Sequence, residues 1–375
     1  MRRNTLRQPS GRMGLLAAWS LGLLLLVHPV APAAERAPSA AGACSHVTLT
    51  HRPGWVTSGT WLADGRRLAV VDSLSERVVL YRQDGRSLGV VTGPNGEALR
   101  DLSPRLIKSA GQGRLLVETA ADGLVALDSR FALLRRTPLN SKSARSDLTM
   151  LGTFQWQPVG NDEVVSFSDL ELKPPRWGAG FVRFSLADPA SFTVLRQGSL
   201  EDPERLFNRL GYPFIAALGD KAYILVMGNS TELYESSKGS PDLRRLTAFS
   251  SQETPDLPSF DEWSEFAGVM AAVERSAMPA GLYGWDGQLY LLSRKPAGGG
   301  RTQWSLTRLD PESGQNLGTV VLPTTAHHLT VIPGPRAWAF LEKGPVLGRE
   351  RQEIGSMLLV SAARLRGSFS GSLCN

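Results

Sequence analysis

The chain has 375 residues, 42% of them hydrophobic and 20% charged, a balance that excludes a disordered protein. Its formal charge of +6 comes from 41 Lys and Arg against 35 Asp and Glu, and four of the basic residues (Arg2, Arg3, Arg7, Arg12) stand in the first 33 positions, where there is no acid. Beyond them the count is 37 against 35, too even for a protein that binds nucleic acid by neutralising phosphates.

Those arginines precede a 13-residue apolar run at 15–27 and a small-residue stretch ending Ala31-Pro32-Ala33. A basic start, a short apolar run and an A-x-A site describe a secretory signal peptide over residues 1–33. Thirteen residues are too few to span a bilayer, and no other run approaches 18. The mature chain is therefore expected in the periplasm or outside the cell, with no transmembrane segment, after a short flexible segment at 34–43. Ala41-Gly42-Ala43-Cys44 is faintly like a lipoprotein box but lies too far past the apolar run. The other cysteine is Cys374. Two cysteines at the two ends of an exported domain predict a disulfide; two unrelated thiols are the alternative.

Residues 44–375 show no linker and no charge block, and they repeat. Residues 64–91 run as turn, apolar strand, polar loop, alternating strand, Asp-Gly turn and apolar strand, and 286–321 follow the same grammar. Weaker copies cover 113–137, 160–195, 219–247 and 334–365. The second strand of each copy begins near Leu68, Leu115, Val164, Tyr223, Leu289 and Trp338, about 54 residues apart on average. Four short strands per unit, with Gly, Asp or Pro between them, predict propeller blades. The final unit supplies only three strands, near 327–332, 336–342 and 356–362. The orphan strand His46-Val47-Thr48-Leu49-Thr50 is expected to complete it and close the ring, which would bring Cys44 near Cys374.

Within the first unit, Asp72, Ser73, Arg77, Val78 and Tyr81 match the pattern of an NHL-type repeat, while Ser75 and Glu76 stand where asparagine is usual. The chain thus resembles the broad NHL/TolB-like group. The resemblance implies an all-β, six-bladed propeller; that group contains binding modules, lactonases and lyases, so it leaves activity open.

Chemistry-bearing motifs are few. There is no H-E-x-x-H, C-x-x-C or G-x-S-x-G, and the strings expected to form the innermost strands (WVTSGTWL, SPRLIKSA, MLGTFQWQ, YPFIAAL, AGLYGW, HHLTVIP) contain no acid. This predicts no metal site, no cofactor and no catalytic constellation. Two short helical inserts are expected, at 202–211 behind an Asp cap and at 259–275 with Ser259 and Glu262 in a capping box. The first reading is a monomeric binding module whose long connections, including 168–179 and 293–303, meet a protein, a glycan or a small anionic ligand. Arg176, Trp177, Trp263 and Arg294 are the candidate contacts, since guanidinium forks and indole faces suit anions and sugars. The alternative is a hydrolase or lyase working at the channel mouth.

Overall fold

The structure, a computed structural model, describes residues 43–92, 103–120, 123–139, 141–142, 148–172, 176–199, 213–227, 231–249, 277–298, 301–343 and 353–374. All of them belong to one unit, Gly42–Asn375. The leader at 1–33, nearly all of 34–43 and both helical inserts lie outside the described residues.

Strand β1 (Cys44–Thr48) precedes the first sheet, β2 (Val56–Trp61), β3 (Arg67–Asp72), β4 (Arg77–Arg82) and β5 (Ser87–Val90). The second sheet holds β6 (Pro104–Ser109), β7 (Leu115–Thr119), β8 (Gly123–Leu127) and β9 (Leu133–Thr137). The third holds β10 (Ser141–Lys142), β11 (Leu148–Val159), β12 (Glu163–Leu172), β13 (Arg176–Ser185) and β14 (Thr193–Ser199). The fourth is β15 (Phe214–Leu218), β16 (Lys221–Val226), β17 (Thr231–Ser236) and β18 (Arg244–Phe249). The fifth contains β19 (Met278–Trp285), β20 (Gln288–Pro296), β21 (Thr302–Leu309) and β22 (Asn316–Val321). The sixth is β23 (His328–Ile332), β24 (Ala337–Lys343) and β25 (Ser356–Ser361), with β1 on its outer edge. A short helix α1 (Ala362–Arg366) and β26 (Ser370–Ser372) end the described chain.

Each middle strand is covered on both faces, which is why it reads as a nearly unbroken apolar run. In β3, Leu68 and Val70 pack toward the sixth blade, while Ala69 and Val71, on the opposite face, pack toward the second. Six buried clusters form in this way, one between each neighbouring pair of blades, including the sixth with the first. Fully burying one of their large side chains contributes roughly 1.5–3 kcal/mol. The outer strands carry less: Leu133 and Leu134 of β9 are half exposed. At the inner strands the backbones crowd. A Cβ on Gly284 of β19 would come within 2.1 Å of the Ala217 carbonyl on β15, so only glycine fits there.

Closure follows the sequence expectation. Strand β1 lies antiparallel on β25, with Cys44 opposite Val360 and Thr48 opposite Ser356, and Cys44 is bridged to Cys374. The second strands begin where expected. Two features depart from the sequence reading. Segments 168–179 and 293–303 are largely strand and not long loops: β12 runs on to Leu172, which pairs with Arg176 of β13, and β20 reaches Pro296, which pairs with Thr302 of β21. The ladder continues past the apolar stretch because backbone pairing does not require apolar side chains. The other departure is β26, which lies parallel on the outer edge of β22, with Val320 opposite Gly371. Arg364 holds this tail by donating to the carbonyls of Ser368, Ser372 and Leu373 at 2.5, 3.0 and 2.8 Å.

Candidate functional site

The six inner strands, β2, β6, β11, β15, β19 and β23, surround a cavity of about 650 Å³. Turns alternate between the two ends of a blade, and the turns joining first to second strands bound the cavity at one end, through Leu62, Ala63 and Pro333 to Pro335. Its wall mixes hydroxyls and amides (Thr57, Ser58, Gln157) with aromatic rings (Trp61, Phe214, Tyr283). Among the described residues no carboxylate lines it, and Lys108 of β6 is its one charged side chain.

Lys108 reaches across to the third blade. Its Nζ donates to the Trp156 carbonyl and, at 2.9 Å, to Gln157 Oε1, and it lies 5.4 Å from the centroid of the Trp156 ring. The Trp156 indole N–H donates in turn to Glu118 Oε2 at 2.5 Å, and both Trp156 and Glu118 are buried. Burial raises the Glu118 carboxyl above the usual range, against the pull of that hydrogen bond and of Arg105 and Lys108. Desolvation lowers the Lys108 ammonium to about 8, with the charge of Glu118 working the other way. The lysine thus keeps its proton at neutral pH while having only uncharged groups as hydrogen-bond partners. Such a group can bind an anion, or act as an amine just above its pKa.

At the other end of the ring, beside the second-to-third-strand connections, Trp55, His327, His328 and Lys343 gather. Lys343 Nζ lies 3.7 Å from the centroid of the Trp55 ring, and the rings of Trp55 and His328 are 5.7 Å apart. Among the described residues no three His, Cys, Asp or Glu side chains come together as a metal site.

The residues singled out from the sequence fare unevenly. Cys44 and Cys374 are joined. The backbones of Arg176 and Trp177 open β13, opposite Leu172 and Glu171; their side chains, and all of Trp263, lie outside the described residues. Arg294 stands on β20 opposite Met278, toward whose sulfur it points at 3.4 Å, and it does not line the cavity. Sequence reasoning passed over Lys108 and Lys343. The signal for Lys108 was present: the inner-strand strings that hold no acid hold one lysine, in SPRLIKSA.

No family model matches the chain, and no curated protein matches it. Among solved structures it is similar to a member of the DUF4221 family from Bacteroides vulgatus, at 11% identity over 85% of this chain and 95% of that one, with a TM-score of 0.50. It is also similar to a luciferin-regenerating enzyme, at 12% identity over 85% and 96% of the two chains (TM-score 0.47), and to the calcium-binding protein regucalcin from Agrobacterium tumefaciens, at 11% over 89% and 97% (TM-score 0.47). At such identities a likeness speaks for the fold alone. The chain is a six-bladed β-propeller closed by its N-terminal strand and a disulfide. Among the described residues no helix is long and apolar enough to cross a membrane.

Proposed function

We propose that this protein is an exported binding module that takes a small anionic ligand into its channel. The observation that carries this reading is the wall of the cavity, which offers the Lys108 ammonium, several hydroxyls and amides, and no carboxylate. An anion entering there meets a cation with no ion-pair partner among the described residues, in surroundings where water screens poorly, so each charge-assisted hydrogen bond is strong. The aromatic side of the wall suits a ligand with an apolar body behind its acid group. Export is supported by the leader read over 1–33 and by the Cys44–Cys374 bridge. Arg176, Trp177, Trp263 and Arg294 are proposed as contacts outside the channel, on the face where second strands turn into third.

A thermal-shift screen of mono- and dicarboxylates, sulfate and phosphate tests the reading. At least one of them is expected to raise Tm in the unaltered protein and not in Lys108→Met. Equal shifts in both proteins would mean that the channel is not the site.

A further inference from the structure

His328 opens β23 directly opposite Lys343, which ends β24, so the two side chains leave the same face of the sheet. Trp55, just ahead of β2 in the neighbouring blade, packs on both of them. The His327 N–H donates to the Lys343 carbonyl at 2.9 Å, and the His327 ring lies 4.5 Å from that of His328. The cluster therefore rests on paired backbone at each corner.

Its charge is not balanced. Lys343 is only 7% exposed, while Trp55 beside it is 40% exposed. Among the described residues no carboxylate lies within ion-pair distance of Lys343, and the Trp55 ring is what its ammonium touches. The preceding residue, Glu342, leaves the opposite face of the sheet, where it meets His46 at 3.7 Å and the Ser356 hydroxyl at 3.3 Å. Asp72, which accepts the Trp55 N–H at 3.1 Å, also accepts from the Leu74 N–H and the Ser75 hydroxyl, closing its own turn. A ring face offsets only part of the cost of desolvating an ammonium, and buried charges are ordinarily paired. Burial accordingly holds the Lys343 amine below the usual lysine range.

We propose that Lys343, His328 and Trp55 form a binding site for an oxyanion, the carboxylate or phosphate group of a small ligand, separate from the channel cation Lys108. The oxyanion accepts from the ammonium, and the Trp55 indole with the His328 ring packed on it walls the pair from water. Carboxylate and phosphate share this chemistry, and the test separates them. The site does not depend on the channel reading.

Lysine acetylation of the full chain by acetic anhydride, read residue by residue by mass spectrometry, is measured in buffer, with inorganic phosphate and with glucuronate. Labelling of Lys343 is expected to slow by about fivefold or more with at least one of the two probes, while the exposed Lys295 is unchanged. The protecting probe identifies which group the site takes. Equal Lys343 rates in all three conditions overturn the proposal, and because the unaltered protein is used, misfolding of a variant cannot mimic that result. Calorimetry with the protecting probe then compares variants. Lys343→Met is expected to weaken binding by about tenfold or more, and Lys108→Met to leave Lys343 protection intact. Loss confined to Lys108→Met would refute this site and leave the channel reading standing.

Discussion

Cys44 and Cys374 are 330 positions apart in sequence, and their Cα atoms are 5.4 Å apart. The bridge joins β1, on the outer edge of the sixth blade, to the tail beyond β26, on the outer edge of the fifth. Its expected contribution is roughly 2–5 kcal/mol, chiefly through constraint of the unfolded chain. Cys44→Ser should lower Tm, and non-reducing peptide mapping should recover the two cysteines as one linked pair. Recovery of two free thiols from protein purified without reductant would contradict this.

Gly85 sits under the same closure. Its φ is +81°, and a Cβ there would lie 2.3 Å from the Thr48 carbonyl of β1, beside the bond that the Thr50 N–H donates to the Gly85 carbonyl at 3.1 Å. Gly85→Ala should cost roughly 2 kcal/mol or more, combining left-handed strain with a clash against backbone. Hydrogen exchange should then quicken in residues 44–50 before it does in β3. Uniform quickening across the first blade would place the damage elsewhere.

Lys108 sets a pH dependence whose sign can be worked out. In the unfolded chain the amine keeps its proton up to its ordinary value of 10.5, and in the folded protein only up to about 8. Between those values the unfolded chain binds more protons, so this group makes stability rise with pH across that window. Glu118 on β7 and the Trp156–Gln157 segment of β11 are the groups facing it, and Arg105 on β6 acts on Glu118. Urea titrations of the unaltered protein and Lys108→Met at pH 7 and pH 10 should differ, with the variant gaining relative stability at pH 7. A difference that does not change with pH would refute the depressed pKa. Anion binding in the channel should weaken over the same rise through about 8, as the ammonium loses its charge.

Arg364 is the clasp of the tail. Removing its three bonds to the carbonyls of Ser368, Ser372 and Leu373 should free β26 from β22, because hydrogen bonds to a charged donor contribute about 1.5–3 kcal/mol each. With Arg364→Ala, amide exchange is expected to rise at 319–321 and 370–373 while β23 stays protected. If exchange there is unchanged, the β26–β22 pairing holds without the guanidinium.

The parts of this fold that could be read ahead of the structure are those where burial on both faces forces a pattern. Leu68 to Val71 had to be apolar because two blades sandwich them, and the six second strands were legible for that reason. The closing strand was legible because its partner sheet was one strand short. The strand ends where Leu172 pairs with Arg176 and Pro296 with Thr302 were not, because backbone pairing holds them without a hydrophobic period. Strand β26 is the extreme case: Ser370-Gly371-Ser372 has no apolar residue, and it is held in place by Arg364 six positions upstream. The candidate site was hidden for a different reason. Lys343 and Trp55 are 288 positions apart, and only the closed ring, where Thr330 Oγ1 donates to the Val56 carbonyl at 3.2 Å, makes them neighbours.

Ring closure also sets an order of events in synthesis. Strand β1 is made before any blade, yet its partner β25 is among the last strands to emerge. Until then β1 is an edge without a mate, and before β23 is made the flank of β2 stands open, with neither the Trp61 indole bond to the Ile332 carbonyl nor the Thr330 bond in place. A chain stalled before β23 can stack five blades but lacks the sixth wall of the channel and the Trp55–Lys343 contact. The channel is therefore a late product of synthesis: its sixth wall, and the contacts that seal it to the first, come from the final blade.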